Sequence, residues 1–416
     1  HHGGSAKGKQ DSFRCPGSQL RCRTRRCVVQ YPYSRKGFIV VRKYLRKTKY
    51  VILALAILSL VQGLAMAPVL AGPEISAEFT NTLQAEASAP YHVRGQQELE
   101  LSLEHFLGDA ALYVGIQGSH YWPKQGTDNH WSLGVDEAYV DYYGKYLDLR
   151  VGKQRINWGT AMQVNPTSVL NPMNVNDPLG PKLPVYAVNL DYYLGHTWKL
   201  TGVYLPFFRP AVEQIPGNPL IEVTKPPTTF ENGEFAIKLA AMGLAGTDFS
   251  LSYFRGKEDL PSLFMELNQL PKAQYRDVQI IGADLATTIG DVGLWAEGTY
   301  NLPASGDAYY QGVLGGDYGF ANGLIIMGQY LHQSKDKQST NLLLLGANHS
   351  LGLYEWHVGV AYDLKAHSLM FNPEVSYSLA DSTQLIFGAR YFSSEDPVGM
   401  LPKGQNHIYV HTKISF

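Results

Sequence analysis

Between His407 and Phe416 the side chains alternate in kind. Ile408, Val410, Ile414 and Phe416 share one parity, Tyr409, His411, Lys413 and Ser415 the other, with Thr412 the single polar break on the apolar side. A period of two belongs to an extended strand with one oily and one wet face. Segments of the same kind, rich in Tyr, Phe, Val, Leu and Gly, recur along the chain. They include Glu98–Leu103, Tyr113–Gln117, Ala138–Tyr143, Tyr146–Gln154, Gly233–Ala241 and Phe249–Phe254. Further on come Val292–Thr299, Ile325–Leu331, Tyr354–Tyr362, Phe371–Leu379 and Leu385–Tyr391. After residue 71 no apolar run reaches the length of a membrane-crossing helix. The chain reads as all-β.

The links between segments decide which β-architecture is meant. Short ones (Leu107-Gly108-Asp109, Gly144-Lys145, Gly195-His196, Gly246-Thr247-Asp248, Gly290-Asp291, Ala321-Asn322-Gly323, Leu351-Gly352, Ala380-Asp381-Ser382) alternate with longer ones. The longer links fall at 121–131, 156–184, 206–232, 257–274, 302–307, 334–339 and 394–405. Tight turns at one end and long loops at the other are the pattern of a transmembrane antiparallel up-and-down β-barrel, and the segment count predicts about 16–18 strands. A soluble sandwich or propeller needs an interior rich in Leu, Ile and Val. Here the face expected to point inward is polar: Asn372, Glu374, Ser376, Glu355, His357, Gln384 and Arg390. Packing those groups against protein would leave them without partners; a wet lumen accepts them. The 27 Tyr suit the aromatic girdles of such a barrel.

Composition divides the chain. Residues 1–50 hold fourteen Lys and Arg against one acid, Asp11, together with all three cysteines, Cys15, Cys22 and Cys27. Taking these from totals of 35 basic and 36 acidic residues leaves 21 and 35 in 72–416, a formal net of −14. A cysteine-free body suits export through an oxidising compartment. Residues 41–71 read as a secretory signal peptide: Arg42, Lys43, Arg46, Lys47 and Lys49 precede the apolar Val51–Leu64, with cleavage expected after Val69-Leu70-Ala71. A retained anchor is the alternative, opposed by Gln62, Gly63 and Pro68. Residues 1–40 read as an upstream extension, with translation starting near Val40 or Val41. The cysteines lack the paired Cys-x-x-Cys spacing of a zinc site. Residues 72–416 are the expected barrel.

One stretch carries a more specific pattern. Glu137-Ala138-Tyr139-Val140-Asp141-Tyr142 is followed by Leu149-Arg150-Val151-Gly152-Lys153-Gln154, then Trp158-Gly159, then Val169-Leu170-Asn171-Pro172. This run of about 40 residues resembles a group of porin-like outer-membrane β-barrel proteins, mostly of unknown function. The resemblance implies residence in the outer membrane of a diderm bacterium, contact with its lipid, and insertion by the barrel assembly machinery, with Phe416 as the assembly signal. It leaves homo-oligomerisation open, since no segment marks an interface.

The same residues can be placed by parity. Glu137, Tyr139 and Asp141 should face the lumen, and on the next strand so should Arg150 and Gln154. The tight Gly144-Lys145 turn makes the two strands neighbours, so Asp141 and Arg150 are expected to meet across them. Such a pair either sets the field in a pore or pins the register. Glu297, Glu374, Arg390 and Lys413 complete the expected pore lining. After Trp158-Gly159 the chain has no charged residue until Asp177, and is dense in Asn (157, 165, 171, 174, 176) and Pro (166, 172, 178, 181, 184). Asn-Pro steps stiffen a loop. Asn157, Trp158, Asn165 and Asn171 are therefore the candidate constriction loop, with a cap above the barrel as the competing reading.

Enzyme chemistry finds no support. The histidines are mostly scattered, without a His-Glu-x-x-His, and no Gly-x-Ser-x-Gly elbow occurs. No catalytic residue, metal or cofactor is expected, and the acidic balance opposes nucleic-acid binding. The function expected is a channel for small hydrophilic, neutral or cationic solutes. The alternative is a plugged barrel with a catalytic, adhesive or assembly role.

Overall fold

The structure, a computed structural model, describes residues 72–87, 92–122, 130–162, 164–175, 180–212, 222–264, 272–335, 338–393 and 406–416. The expected extension and signal peptide lie outside the described residues. Eighteen strands form one antiparallel sheet that closes on itself. Each pairs with its neighbour in sequence, and Glu74–Glu86 closes against His407–Ser415, in register from Glu78 opposite Ser415 to Glu86 opposite His407. Phe416 extends that seam: its N–H donates to the Ala77 carbonyl at 2.8 Å and its own carbonyl accepts from Ala77 N–H at 3.2 Å. Closure satisfies every strand edge, a condition for crossing lipid with β-structure.

Alternation places the side chains. Along Val185–Leu194, Tyr186, Val188, Leu190, Tyr192 and Leu194 are exposed on the outside, while Val185, Ala187, Asn189, Asp191 and Tyr193 point inward. Along Asp277–Ile289, Ile281 and Leu285 are outside, and Val278, Ile280 and Asp284 inside. A continuous apolar exterior of this kind is a lipid-facing surface. Ile408, Thr412 and Phe416 lie on that side as the alternation predicts, with Tyr409 buried on the other.

The short links expected from sequence are turns at one end of the barrel. At the other end, the described parts of the long links include structure of their own. Glu222–Thr224, Ser262–Phe264 and Lys272–Gln274 form a small three-stranded sheet within segments that sequence alone reads as loop. Beneath it, Glu258 receives Arg276 through two nitrogens (2.7 and 3.0 Å), Lys335 at 3.1 Å and the Tyr309 hydroxyl at 3.2 Å. Burial pushes the Glu258 carboxyl up, but the Arg276 hydrogen bond and Lys335 outweigh it and hold it below the ordinary carboxylate range.

Candidate functional site

The segment from Arg155 to Pro184 leaves the wall at Gln154 and rejoins it at the adjacent strand, Val185–Leu194. In between it folds into the barrel as a strap. Its base is a clamp. Arg155 binds Asp136 through two nitrogens at 2.6 Å each, Glu137 at 3.2 Å, and the Lys182 carbonyl at 2.6 Å. A register shift between Val114 and Ile116 brings the consecutive acids Asp136 and Glu137 to the same guanidinium. Asn171 then joins the two ends of the strap. Its side chain accepts from Ile156 N–H at 2.7 Å and donates to the Leu183 carbonyl at 2.8 Å and the Gln154 carbonyl at 3.3 Å.

The strap lies on an apolar half of the inner wall. Ile156, Trp158 and Leu170 pack against Val185, Ala187, Val203, Leu205, Ala236, Phe254, Val278 and Ile280. Its tip carries Ala161 and Val164 onto a second patch built on Trp295, Val313, Leu331, Leu342 and Leu344. Water in an open lumen would wet these walls; burial of each large side chain is worth about 1.5–3 kcal/mol.

One carboxylate holds the tip. Glu297, 5% exposed, accepts from Thr160 N–H and Ala161 N–H on one oxygen. On the other it accepts from Thr167 N–H at 3.3 Å and the Thr167 hydroxyl at 3.0 Å. Gln329 continues the clasp, accepting from Met162 N–H (3.1 Å) and Trp295 Nε1 (2.9 Å) and donating to the Val164 carbonyl (3.0 Å). Gly159 explains the Trp-Gly pair in the sequence. Its φ of +89° favours glycine, and a Cβ there would lie 2.3 Å from Asn165 Oδ1 and 2.4 Å from Glu297 Oε1. Gly152 is similar, with φ +141° and a Cβ position 2.2 Å from the Ala138 carbonyl oxygen.

The other half of the inner wall is polar. Asp141 and Arg150 meet as the spacing predicts, through bonds of 2.6 and 2.9 Å. Arg150 lies over the Tyr139 ring at 4.0 Å, and Tyr139 stacks on Tyr113 at 4.9 Å. On the first two strands Glu74 faces Glu104, Glu78 faces Glu100, and Thr80 faces Glu98. Lys413 reaches Glu78 at 2.7 Å; Glu74, Glu100 and Glu104 take part in no ion pair among the described residues. Across the seam, Arg390 donates to Asn372 at 3.1 Å, and Asn372 and the Tyr409 hydroxyl donate to Glu374.

Of the expected lining, Tyr139, Asp141, Arg150, Glu374, Arg390 and Lys413 belong to this polar half, and Glu137 is taken up by the Arg155 clamp. Two expectations need correction. Gln154, 0% exposed, and Glu297 point inward but lie beneath the strap, because its backbone donors and acceptors need partners that an apolar wall cannot supply. The loop residues divide likewise. Asn157 is exposed, whereas Trp158 and Asn171 are buried and Asn165 closes a local turn, accepting from Ser168 N–H at 3.1 Å. Sequence reasoning missed Asp136, Gln329 and the glutamates of the first strands. The latter were visible as Glu98, Glu100 and Glu104 alternating with Leu99, Leu101 and Leu103. Among the described residues no cluster of His, Cys, Asp or Glu has the arrangement of a metal site.

Solved structures share the fold. OccAB4 of Acinetobacter baumannii aligns with a TM-score of 0.52 at 10% identity, over 82% of this chain and 98% of that one. OccAB3 of the same organism gives 0.50 at 9%, over 83% and 100%. No curated protein matches. The family model described as "Protein of unknown function (DUF1302)" matches residues 124–397, and the chain belongs to that family.

Proposed function

We propose that the protein is an outer-membrane channel for small hydrophilic solutes, neutral or cationic, in a diderm bacterium. It acts by passive conduction rather than by catalysis. The observation that carries this reading is the division of the inner wall: an apolar half sealed by the strap, and a polar half lined by carboxylates in excess of cations. Carboxylates along a low-dielectric wall concentrate cations and repel anions. The strap narrows the passage, and the clasp at Glu297 and Gln329 keeps it against the wall. The barrel assembly machinery and outer-membrane lipid are the partners this reading requires.

Recordings of the purified protein in planar bilayers should show stable, cation-leaning conductance. A strongly anion-selective channel would remove the reading. A silent barrel would instead favour the second one, a plugged barrel, which the reach of Ala161 and Val164 to the second apolar patch supports. Deleting the strap should then restore conductance.

A further inference from the structure

We propose that a polar row on the lipid side of the wall, Thr412, Asn81, Gln97 and His120, is the contact surface for a second copy of this chain, paired about a two-fold axis along the membrane normal. The pairing needs the barrel to stand in a bilayer but not to conduct. The four residues lie abreast on consecutive strands. Asn81 is opposite Thr412 on one side and Gln97 on the other, and Gln97 is opposite His120. All four share the outward parity: Asn81 with the exposed Ile75 and Leu83, Gln97 with Val93, His120 with Leu112, Ile116 and Trp122, Thr412 with Ile408. Gln97 Nε2 donates to Asn81 Oδ1 at 3.3 Å. Trp122 Nε1 donates to His120 Nδ1 at 3.1 Å, and the Trp131 ring stacks on His120 at 3.9 Å. An indole N–H only donates, so His120 Nδ1 acts as acceptor and has no proton for Gln97 Oε1, 3.4 Å away.

The row is left under-satisfied. Among the described residues no acceptor meets the Asn81 amide N–H groups, and nothing donates to Gln97 Oε1 or bonds the Thr412 hydroxyl. Lipid cannot supply the partners at this depth. Outward apolar residues continue on both sides, Ala77 and Phe79 then Leu83 and Ala85 around Asn81, Ile408 and Val410 then Ile414 and Phe416 around Thr412. Four residues of strand span roughly 13 Å, which keeps headgroups away, and acyl chains neither donate nor accept. The opposite wall has no such need: one register row there reads Leu239, Leu251, Ala283, Gly298 and Gly312. An identical chain fits because a primary amide carries donor and acceptor on one group. The same row turned about a two-fold axis therefore complements itself, as an isologous contact requires. Ala77, Ala85 and Gly118 lie outward beside the row and keep the face low; small residues flanking polar ones let membrane segments approach closely.

The test is the mass of the full chain in mild detergent, measured by light scattering after size exclusion. Wild type and the amide-keeping Asn81→Gln/Gln97→Asn variant should weigh twice one chain. The Asn81→Leu/Gln97→Leu variant should dissociate about tenfold more readily or worse, while heat-modifiable mobility on gels shows its barrel still closed. If that variant does not close, Asn81→Leu alone carries the comparison. Because detergent strips weak partners, the contact is also probed in the membranes of the expressing cell. There, Leu83→Cys in a chain carrying Cys15→Ser, Cys22→Ser and Cys27→Ser should be linked to a second such chain by a short bismaleimide. Leu251→Cys, on the opposite wall, should not be. Equal pairing by wild type and the Leu variant would overturn the proposal, as would a monomeric wild type without the Leu83→Cys cross-link. A doubled mass owed to a different protein would overturn the second copy as occupant.

Discussion

The two halves of the inner wall solve the problem of facing a lumen in opposite ways. From Val185–Leu194 round to Gln338–Leu351 the inward side chains include Val203, Leu205, Phe254, Ile280, Leu331 and Leu342, and a 30-residue excursion of the chain covers much of them. On the strands either side of the seam, as far as Leu147–Gln154, they are carboxylates, tyrosines and a few cations. The first half is a folding core that happens to line a barrel; the second is a polar wall whose side chains pair with one another, Asp141 with Arg150 and Tyr409 with Glu374. Stability should reside in one and selectivity in the other.

Removing the strap, by joining Gln154 to Val185 through a short turn, is the harshest test. It should raise single-channel conductance several-fold and strip the apolar wall of its cover, at about 1.5–3 kcal/mol for each large side chain wetted. Unchanged conductance would mean that the strap does not narrow the path. Glu297→Ala leaves the donors of Thr160, Ala161 and Thr167 facing nothing, and should cost about 3 kcal/mol or more in unfolding titrations. Glu297→Gln keeps an acceptor for Thr160 and Ala161 but turns an amide against Thr167, and should cost less. Gly159→Ala should cost about 1–3 kcal/mol, through its backbone angle and the crowding at Asn165 and Glu297.

The remaining two tests are gentler. The Glu258 carboxyl is depressed in the folded state, so its contribution to stability is present above the unfolded value and is lost as pH falls through the lower, folded one. Limited proteolysis of the long loops should therefore accelerate only below the ordinary carboxylate range. Arg276→Gln should move that onset to higher pH; an unmoved onset would show that Glu258 does not staple the loops. On the polar half, Glu78→Gln with Glu100→Gln should lower the cation-to-anion permeability ratio by about twofold, most visibly at low salt, and leave unfolding nearly unchanged.

The barrel was legible because its two signals are local. Alternation needs only neighbours in sequence, and the turns at Gly108-Asp109, Gly144-Lys145, Gly195-His196 and Gly290-Asp291 announce themselves by residue type. Asp141 and Arg150 were legible for the same reason, being joined by one tight turn. The clasp was not. Glu297 meets Thr160 across 137 positions and Gln329 meets Val164 across 165, distances over which alternation carries no information. Inward parity was right for Glu297 and Gln154; what covers an inward side chain is a tertiary fact. The small outer sheet was missed because strands of three residues show no periodicity.

The seam between Glu74–Glu86 and His407–Ser415 also has a kinetic meaning. Every other pairing among the eighteen barrel strands joins one to the next in their order along the chain and can form while the ribbon grows; this one must wait until almost all the intervening polypeptide has been arranged. Until then both flanking strands expose unpaired amides and carbonyls, an open ribbon liable to pair with the wrong neighbour. The rate of maturation should therefore be governed by this last, entropically expensive loop closure, and substitutions at Ala77 or Phe416 should slow assembly more than they weaken the finished ring.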